Sequence, residues 1–406
     1  MAVGPATFPD KMHPVAGFKL GTASAGVKTP GRKDLVIMEV CEGSSVAGVF
    51  TKNAFCAAPV QICKQHLTQA ATRYLVTNTG NANAGTGDEG YADAISVCEA
   101  VAKETGCDLA AVLPFSTGVI GEKLPVEKIT TAVPAANLAL TETGWDDAAE
   151  GIMTTDTRIK GSSRQFKYAG KTVTLTGISK GAGMIKPNMA TMLAYAATDA
   201  QIDSELLNQL LTDAANCSFN RITVDSDTST NDSCMLVATG KSGLVVSKEE
   251  HELYELFSSE LNALMQQLAH AIVRDGEGAT KFVTITVDSA ASQSEALSTA
   301  YDIAHSPLVK TALFASDPNW GRILAVVGRV GIEELNLDAL EIYLGDVRIV
   351  SQGGRDPGYT EEAGQAVMDK EEILIRVVLN RGSFSETVWT TDLSHDYVSI
   401  NADYRS

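Results

Sequence analysis

The sequence lacks the features that mark membrane, secreted and metal-binding proteins. It has no apolar run of about eighteen residues and no basic leader before an apolar segment, so we expect neither a transmembrane helix nor a secretory signal. Its seven cysteines include no Cys-x-x-Cys pair, which favours reduced thiols in a cytoplasmic protein. Its six histidines include no His-x-x-x-His pair, so we expect no metal site and no bound cofactor.

Basic residues are also scarce. The chain has 32 Lys and Arg against 50 Asp and Glu, for a net charge of -18. Nucleic acids and anionic membrane surfaces both bind basic footprints, so this charge argues against them as partners. The 406 residues exceed the size at which one hydrophobic core stops growing, which predicts two domains or two halves of a large layered domain.

Short β-rich runs alternate with amphipathic helices along the chain, which predicts an α/β protein. Residues 35–40 and 45–50 are two such runs, and the Cys41-Glu42-Gly43-Ser44 segment between them predicts a hairpin. Residues 171–178 and 192–197 read as strands on either side of a glycine-rich segment. The chemistry of the chain is concentrated in that segment.

The glycine-rich segment, residues 180–193, reads Lys-Gly-Ala-Gly-Met-Ile-Lys-Pro-Asn-Met-Ala-Thr-Met-Leu. Glycine and proline at these positions favour a strained backbone, and Thr191 carries its hydroxyl on a stiff β-branched side chain. Attack on the preceding carbonyl would shift the acyl group to oxygen, and water would then cut the chain between Ala190 and Thr191. The freed α-amino group, with a pKa of roughly 7.7 to 8.0, would be the base for its own hydroxyl. An ordinary turn before a buried strand fits the same residues.

Other motifs carry polar groups in loops. Acyl transfer passes through an oxyanion, which the Thr117 hydroxyl and the Gly118 backbone NH could stabilise, although a simple turn also fits. The hydroxyl-rich loop at residues 223–233 lacks the central glycine and closing glutamate of a calcium site. We interpret it as lining an active site, although a plain capped turn also fits. Lys180 and Glu277 read either as anchors for a charged substrate or as solvated charges.

Residues 180–193 resemble, residue for residue, the signature of the glutamate N-acetyltransferase (ornithine acetyltransferase) family of arginine biosynthesis. Further matched motifs follow in the family's order over essentially the whole chain, among them Ser-Thr-Gly-Val-Ile-Gly at residues 116–121 and the run at residues 313–322. The glycine-rich loop at residues 78–87 also matches, except that the family usually has cysteine where this chain has Gly85. That difference affects no residue to which we assign catalysis.

The resemblance implies a layered α/β/β/α sandwich of the self-processing N-terminal nucleophile type, with a smaller C-terminal α/β part. It implies cleavage into an α fragment, residues 1–190, and a β fragment, residues 191–406, assembled as a heterotetramer of two α and two β fragments. The implied reaction is ping-pong acetyl transfer from N-acetylornithine to glutamate. Some members also use acetyl-CoA as donor, and the sequence leaves this open.

The resemblance also assigns the site residues. Thr191 is the nucleophile, and Thr117 and Gly118 form the oxyanion pair. The implied substrate-binding residues are Thr154, Lys180, Thr191, Glu277, Asn401 and Ser406, with Thr154 preferred over Thr155 in the threonine cluster. Two other functions stay open: a self-processing amidohydrolase or aminopeptidase with the same nucleophile, and a non-catalytic binding protein that has kept the fold.

Overall fold

The computed structural model describes residues 2–186 and 192–403. These residues form two compact units. The larger unit comprises the described residues of Thr7–Asn220 and Asp227–Ile272, and the smaller unit comprises those of Met1–Ala6, Arg221–Ser226 and Val273–Ser406. No helix among the described residues is both long and apolar enough to cross a membrane.

The larger unit contains two sheets. Its strands are β1 (Phe18–Ala23), β2 (Leu35–Val40), β3 (Ser45–Phe50), β4 (Tyr74–Asn81), β5 (Val112–Val119), β6 (Lys160–Tyr168), β7 (Lys171–Lys180), β8 (Leu193–Thr198) and β9 (Ser233–Ala238). The first sheet has the order β1-β2-β4-β5 and the second the order β3-β9-β8-β7-β6. Its helices are α1 (Ala58–Gln69), α2 (Gly87–Thr105), α3 (Val126–Leu138), α4 (Trp145–Gly151), α5 (Ser204–Cys217) and α6 (His251–Arg274).

Strand β2 shows why the first sheet is buried on both faces. Successive strand side chains point to opposite faces, and nearly every residue of β2 is apolar. Val36 and Met38 join a core that also contains Ile178 and Tyr195 of the second sheet. The alternate residues, Leu35 and Ile37, pack with α2 and α3 residues on the other face. The two sheets therefore pack face to face, with helices outside the first.

Helix α6 covers the outer face of the second sheet. The side chains of Ser162 and Ser179 donate hydrogen bonds to Gln267 Oε1 at 2.9 Å and to the Leu268 carbonyl at 3.5 Å. A Cβ at Gly177 would lie 3.2 Å from the Leu264 side chain, so β7 and α6 are in close contact. The order of layers is helix, sheet, sheet, helix, which confirms the predicted α/β sandwich.

The predicted hairpin of β2 and β3 is wrong. Strand β2 lies between β1 and β4 in the first sheet, whereas β3 pairs with β9 in the second sheet, with Ser45 opposite Ala238. The turn composition between them suits a chain reversal, but both strands bury apolar side chains against the core between the sheets. The connection at residues 41–44 therefore crosses from one sheet to the other.

The smaller unit is a single mixed sheet with helices, as expected for a C-terminal α/β part. Its strands are β10 (Phe282–Ala290), β11 (Glu341–Leu344), β12 (Val347–Ser351), β13 (Gly354–Arg355), β14 (Glu372–Val378) and β15 (Phe384–Thr391), in the order β13-β12-β11-β14-β10-β15. Its helices are α7 (Gln293–Ala304), α8 (Pro307–Phe314), α9 (Trp320–Arg329), α10 (Glu361–Met368) and α11 (His395–Ala402). Its core joins aliphatic residues of the sheet, α7 and α9.

The compact units and the predicted fragments divide the chain at different places. Strands β7 and β8 lie on either side of the predicted break and are antiparallel neighbours, with Lys180 opposite Leu193. The larger unit therefore includes strands of both predicted fragments. The division into residues 1–190 and 191–406 stays a prediction.

Candidate active site

Gly118 lies near the end of β5, where the backbone of β4 leaves no room for a side chain. Its φ is +138°, and a Cβ there would lie 2.2 Å from the Gly80 carbonyl carbon and 2.4 Å from the Asn81 nitrogen. Thr117 and Gly118 pair with Thr79 and Gly80 of the parallel neighbour. Only glycine fits this position, so the backbone of β5 packs directly against the backbone of β4 here. The assignment of Thr117 and Gly118 to an oxyanion hole stays a prediction.

Lys180 reaches Thr117 from the other sheet. Its Nζ donates a hydrogen bond to Thr117 Oγ1 at 3.0 Å, although the two residues are 63 positions apart in the chain. Lys180 ends β7, and Thr117 is near the end of β5. The layered fold therefore brings a predicted substrate-binding lysine into contact with a predicted oxyanion residue.

Asp156 is a buried carboxylate that joins several parts of this site. Its Oδ1 accepts from Lys160 Nζ at 2.5 Å and from the Gly181 backbone NH at 2.7 Å. Its Oδ2 accepts from the backbone NH of Thr154 at 2.9 Å. Burial alone would raise the pKa of Asp156, but Lys160, Lys180 and these hydrogen bonds outweigh burial and hold the pKa well below its ordinary value. The ionised carboxylate fixes Thr154 next to the start of the glycine-rich segment.

The second half of the hydroxyl-rich loop, residues 227–233, meets the same region. Asn231 Nδ2 donates to the carbonyls of Ala82 at 2.6 Å and Ser116 at 3.0 Å, so it holds the residue before Thr117. The backbone NH of Ser233 donates to the Met192 carbonyl at 2.9 Å. This part of the loop lies beside the candidate oxyanion residue Thr117, and its role as active-site lining stays a prediction.

Asp232 stands between these two anchored residues, and its side chain is only 3% exposed. Among the described residues, none gives its Oδ2 a hydrogen bond. Burial raises the pKa of Asp232 well above its ordinary value, although Ser229 and the positive charge of Lys180 act in the opposite direction. The Asp232 carboxyl therefore keeps its proton to a higher pH than an ordinary aspartate does.

Glu277 and Asn401 lie together in the smaller unit. Asn401 Nδ2 donates to Glu277 Oε2 at 2.8 Å and to the Tyr397 carbonyl at 3.0 Å, which ties Glu277 to α11. Gly278 has a φ of +68°, and a Cβ there would lie 2.5 Å from both Ser394 Oγ and the Tyr397 nitrogen. The turn that carries Glu277 is thus packed against the first residues of the helix that carries Asn401.

Asp392 holds the residues just after this turn, and Lys310 holds the end of β15. Asp392 Oδ1 accepts from the backbone NH groups of Thr280 at 2.8 Å and Lys281 at 3.0 Å, and Oδ2 accepts from Thr280 Oγ1 at 2.6 Å. Lys310 is fully buried and donates to Thr390 Oγ1 at 3.0 Å and to the Thr391 carbonyl. Burial lowers the pKa of Lys310 to about 8, although Asp392 and Asp225 act to raise it.

Three predicted residues, Ala190, Thr191 and Ser406, lie outside the described residues. Their roles as cleavage site, nucleophile and substrate contact stay predictions. Within residues 2–186 and 192–403, no group of three histidine, cysteine or acidic side chains is arranged to hold a metal ion.

Sequence reasoning missed Asp156 and Asp232 as parts of the site. Asp156 directly follows Thr154 and Thr155, and Asp232 belongs to the hydroxyl-rich loop, so both lie in or beside motifs that had been singled out. Nothing in the local sequence shows that either carboxyl is buried. An aspartate between polar neighbours in a motif matched to a family is the one signal that could have suggested them.

The chain matches the model of the ArgJ family over residues 19–406. It is 59% identical over 407 residues to the arginine biosynthesis bifunctional protein ArgJ of Pseudomonas fluorescens (strain Pf0-1), and the match covers 100% of both chains.

Two solved structures are also similar. One is the arginine biosynthesis bifunctional protein argJ of Bacillus halodurans, with 38% identity and a TM-score of 0.48, covering 50% of this chain and 95% of that chain. The other is the ornithine acetyltransferase of Mycobacterium tuberculosis complexed with ornithine, with 35% identity and a TM-score of 0.38, covering 44% of this chain and 94% of that chain. By the family model and the full-length relative, the chain belongs to the ArgJ family.

Proposed function

We propose that this chain is a self-cleaving acetyltransferase of arginine biosynthesis that moves acetyl from N-acetylornithine to glutamate. Family membership gives the reaction, and the observation that carries the site is the contact between Lys180 and Thr117. That contact joins two motifs from distant parts of the chain at the ends of two strands. A solvated lysine and a threonine in a simple turn would not be expected to form this contact.

The reaction has two halves. Thr191, freed by cleavage after Ala190, attacks the acetyl carbonyl of N-acetylornithine, and its α-amino group takes the hydroxyl proton and passes it to the departing ornithine amine. The Thr117 hydroxyl and Gly118 backbone NH stabilise the oxyanion. Glutamate then attacks the acetyl ester and leaves as N-acetylglutamate, with the α-amino group again moving the proton.

The substrate-binding residues offer both signs of charge. The ammonium group of Lys180 suits a substrate carboxylate, and the carboxylate of Glu277 suits a substrate ammonium group. Thr154, Asn401 and Ser406 supply hydroxyl and amide groups for hydrogen bonds. A hydrolase acting on peptides would have less need for two charged anchors that match a free amino acid.

The direct test is transfer of isotopically labelled acetyl from N-acetylornithine to glutamate, in the wild-type protein and in Thr117→Val. Removing one oxyanion donor should lower kcat by about 100-fold to 1,000-fold. Thr77→Val is the matched control because its buried hydroxyl, on the neighbouring strand, contacts Tyr195 instead. Unchanged kcat in Thr117→Val would remove Thr117 from the mechanism, and release of acetate without an amine acceptor would favour the amidohydrolase.

The donor range is a separate proposal. We infer that acetyl-CoA can replace N-acetylornithine as donor, because the full-length Pseudomonas relative is named bifunctional. Acetyl-CoA would then be a co-substrate and not a bound cofactor. Glutamate and acetyl-CoA alone should yield N-acetylglutamate, and the absence of turnover would restrict the enzyme to the exchange reaction.

Assembly and location complete the proposal. The enzyme acts in the cytoplasm as a heterotetramer of two α and two β fragments. Light scattering of the purified protein should give the mass of two complete chains. A mass of one chain would show that assembly is not required.

A further inference from the structure

Helix α11 carries Asn401, although the helix buries little surface that could hold it in place. None of its eight residues is buried, and all except Tyr397 are exposed. A helix of this length is marginal by itself in water, so its position depends largely on the contacts of individual side chains. One such contact is made in the first turn, where the His395 ring lies edge-on against Phe314.

Tyr397 links this helix to its neighbours in the smaller unit. Its hydroxyl donates a hydrogen bond to Asp225 Oδ2 at 3.2 Å. Its carbonyl accepts from Asn401 Nδ2 at 3.0 Å, and the same Nδ2 donates to Glu277 Oε2 at 2.8 Å. Hydrogen bonds therefore connect Asp225, through the helix, to the carboxylate that is predicted to bind substrate.

The backbone that carries Asp225 is fixed to the sheet of the smaller unit. Two residues earlier, the backbone NH of Thr223 donates to the Trp389 carbonyl of β15 at 2.9 Å. A Cβ at Gly276 would lie 3.3 Å from the Val224 side chain, so the turn that carries the predicted substrate-binding carboxylate packs against the same segment. This segment therefore supports the turn directly, and the bond from Asp225 to the tyrosine hydroxyl ties α11 to the same support.

The side chain of Asn401 determines how the Glu277 carboxylate is held. The amide nitrogen of Asn401 has two hydrogens, and both are engaged, one by the Tyr397 carbonyl and one by Glu277. A carboxylate fixed by one hydrogen bond is pre-organised for a charge-assisted bond to a substrate ammonium group. A shift of α11 would move Asn401 and release the carboxylate from this orientation.

We propose that Tyr397 is a positioning residue for the acetyl donor. Its hydrogen bond to Asp225 holds α11 so that Asn401 aligns Glu277 with the side-chain ammonium group of N-acetylornithine. This inference rests on the proposed function, because that function supplies the ammonium group. Tyr397 acts through Asn401 and Glu277 and does not itself bind the donor.

The test compares two acetyl donors to glutamate: N-acetylornithine and N-acetylnorvaline, which has the same carbon chain without the side-chain ammonium group. Tyr397→Phe removes only the hydroxyl. KM for N-acetylornithine should rise about tenfold, the scale of one hydrogen bond to a charged group, with kcat unchanged. KM for N-acetylnorvaline should stay at the wild-type value. The ratio of kcat/KM between the two donors should therefore fall by the same factor.

Tyr343→Phe is the matched control. The Tyr343 hydroxyl also donates to a carboxylate, Glu341 Oε2 at 2.8 Å, but Tyr343 lies on β11, which two strands separate from β15. Its donor ratio should equal that of the wild type. Glu277→Gln gives a second reference. Because Tyr397 acts through Glu277, adding Tyr397→Phe to Glu277→Gln should change the donor ratio no further.

The outcomes separate this inference from the proposed function. An unchanged donor ratio in Tyr397→Phe, or an equal loss for both donors, would overturn the inference and leave the proposed function standing. A wild-type protein that transfers no acetyl to glutamate would overturn both. If Tyr397→Phe does not fold, as judged by its unfolding transition, Asp225→Ala decides, because it removes the acceptor of the same hydrogen bond. A lowered ratio in that variant supports the inference, and a folded variant with the wild-type ratio overturns it.

Discussion

Two buried aspartates near Lys180 have pKa values that are shifted in opposite directions. Asp156 has a pKa well below its ordinary value and Asp232 has one well above it, although both are almost fully buried and Lys180 favours the ionised form of each. The difference is the partner. Asp156 has the ammonium group of Lys160 at 2.5 Å, and Asp232 has no cation in hydrogen-bond contact among the described residues. Burial makes ionisation of a side chain unfavourable, and an opposite charge in contact with the side chain determines whether it stays ionised.

Two buried lysines repeat the comparison with the sign reversed. Lys160 in the larger unit contacts the carboxylate of Asp156. Lys310 in the smaller unit donates to the hydroxyl and carbonyl oxygens of Thr390 and Thr391, which carry no charge, and its pKa falls to about 8. Asp156 and Lys160 thus form a buried ion pair, whereas Asp232 and Lys310 form no ion pair among the described residues. Substitutions in the two sets can therefore be compared directly.

Removing one partner of the buried ion pair between Asp156 and Lys160 should have the largest effect on stability. Asp156→Asn removes the carboxylate that contacts the buried ammonium group of Lys160, and such losses cost about 3 to 5 kcal/mol. The measurement is the free energy of unfolding in denaturant, made in a Thr191→Ala background so that every variant is one chain. A loss below about 1 kcal/mol would show that Asp156 does not stabilise Lys160.

The same comparison predicts a pH dependence. Because the folded pKa of Asp156 is depressed, its stabilisation is present above the ordinary pKa of 3.8 and is lost as pH falls toward the folded pKa. The difference between wild type and Asp156→Asn should therefore shrink in acid. A constant difference across this range would contradict the depressed pKa.

The unpaired cation predicts the next largest effect. Lys310 has a folded pKa of about 8 against 10.5 for an ordinary lysine, so the unfolded chain binds more protons between these values. The free energy of unfolding should rise with pH in this window, by about 3 kcal/mol in total. Lys310→Met should lack the rise, as measured by denaturant unfolding at several pH values. Parallel slopes for the two proteins would show that Lys310 titrates normally.

For Asp232, the raised pKa predicts that the free energy of unfolding changes with pH in the opposite direction. The folded pKa of Asp232 lies above its ordinary 3.8, so the folded chain binds more protons just above that value. Stability should fall as pH rises there, by up to about 1.4 kcal/mol per pH unit. In Asp232→Asn this contribution disappears, so the variant should gain stability relative to wild type as pH rises above 3.8. A relative loss as pH rises above that value would contradict the raised pKa.

An exposed pair should show the smallest effect. Arg73 Nη1 lies 2.8 Å from Glu42 Oε1, but the Glu42 side chain is 85% exposed. Surface pairs contribute about 0 to 1 kcal/mol because water and salt screen them. Glu42→Gln should change the free energy of unfolding within that range. A loss as large as that of Asp156→Asn would mean that burial does not explain the difference between pairs.

The sequence predicts the parts of this molecule that depend on local pattern. The alternation of strands and helices predicted the α/β class, which the sheets and their flanking helices confirm. The hairpin of β2 and β3 failed because strand pairing depends on which sheet buries each apolar face. Turn composition carries no information about that choice.

The site residues named from the sequence stay predictions, although two of them are in contact in the structure. The contact between Lys180 and Thr117 joins two residues that the resemblance had named separately. The opposite pKa shifts of Asp156 and Asp232 arise from their surroundings in the folded chain. Two aspartates in polar loops look alike in sequence, so neither shift could be predicted from it.

The most direct test of the account is the intact mass of the purified protein under denaturing conditions, after brief mixing with N-acetylornithine. The account predicts two fragments whose masses sum to one chain plus one water, with the break before Thr191 and one acetyl group on the C-terminal fragment. The Thr191→Ala variant should remain one unacetylated chain. A single full-length wild-type chain that transfers acetyl at a normal rate would contradict the account, because Thr191 would then have no free α-amino group.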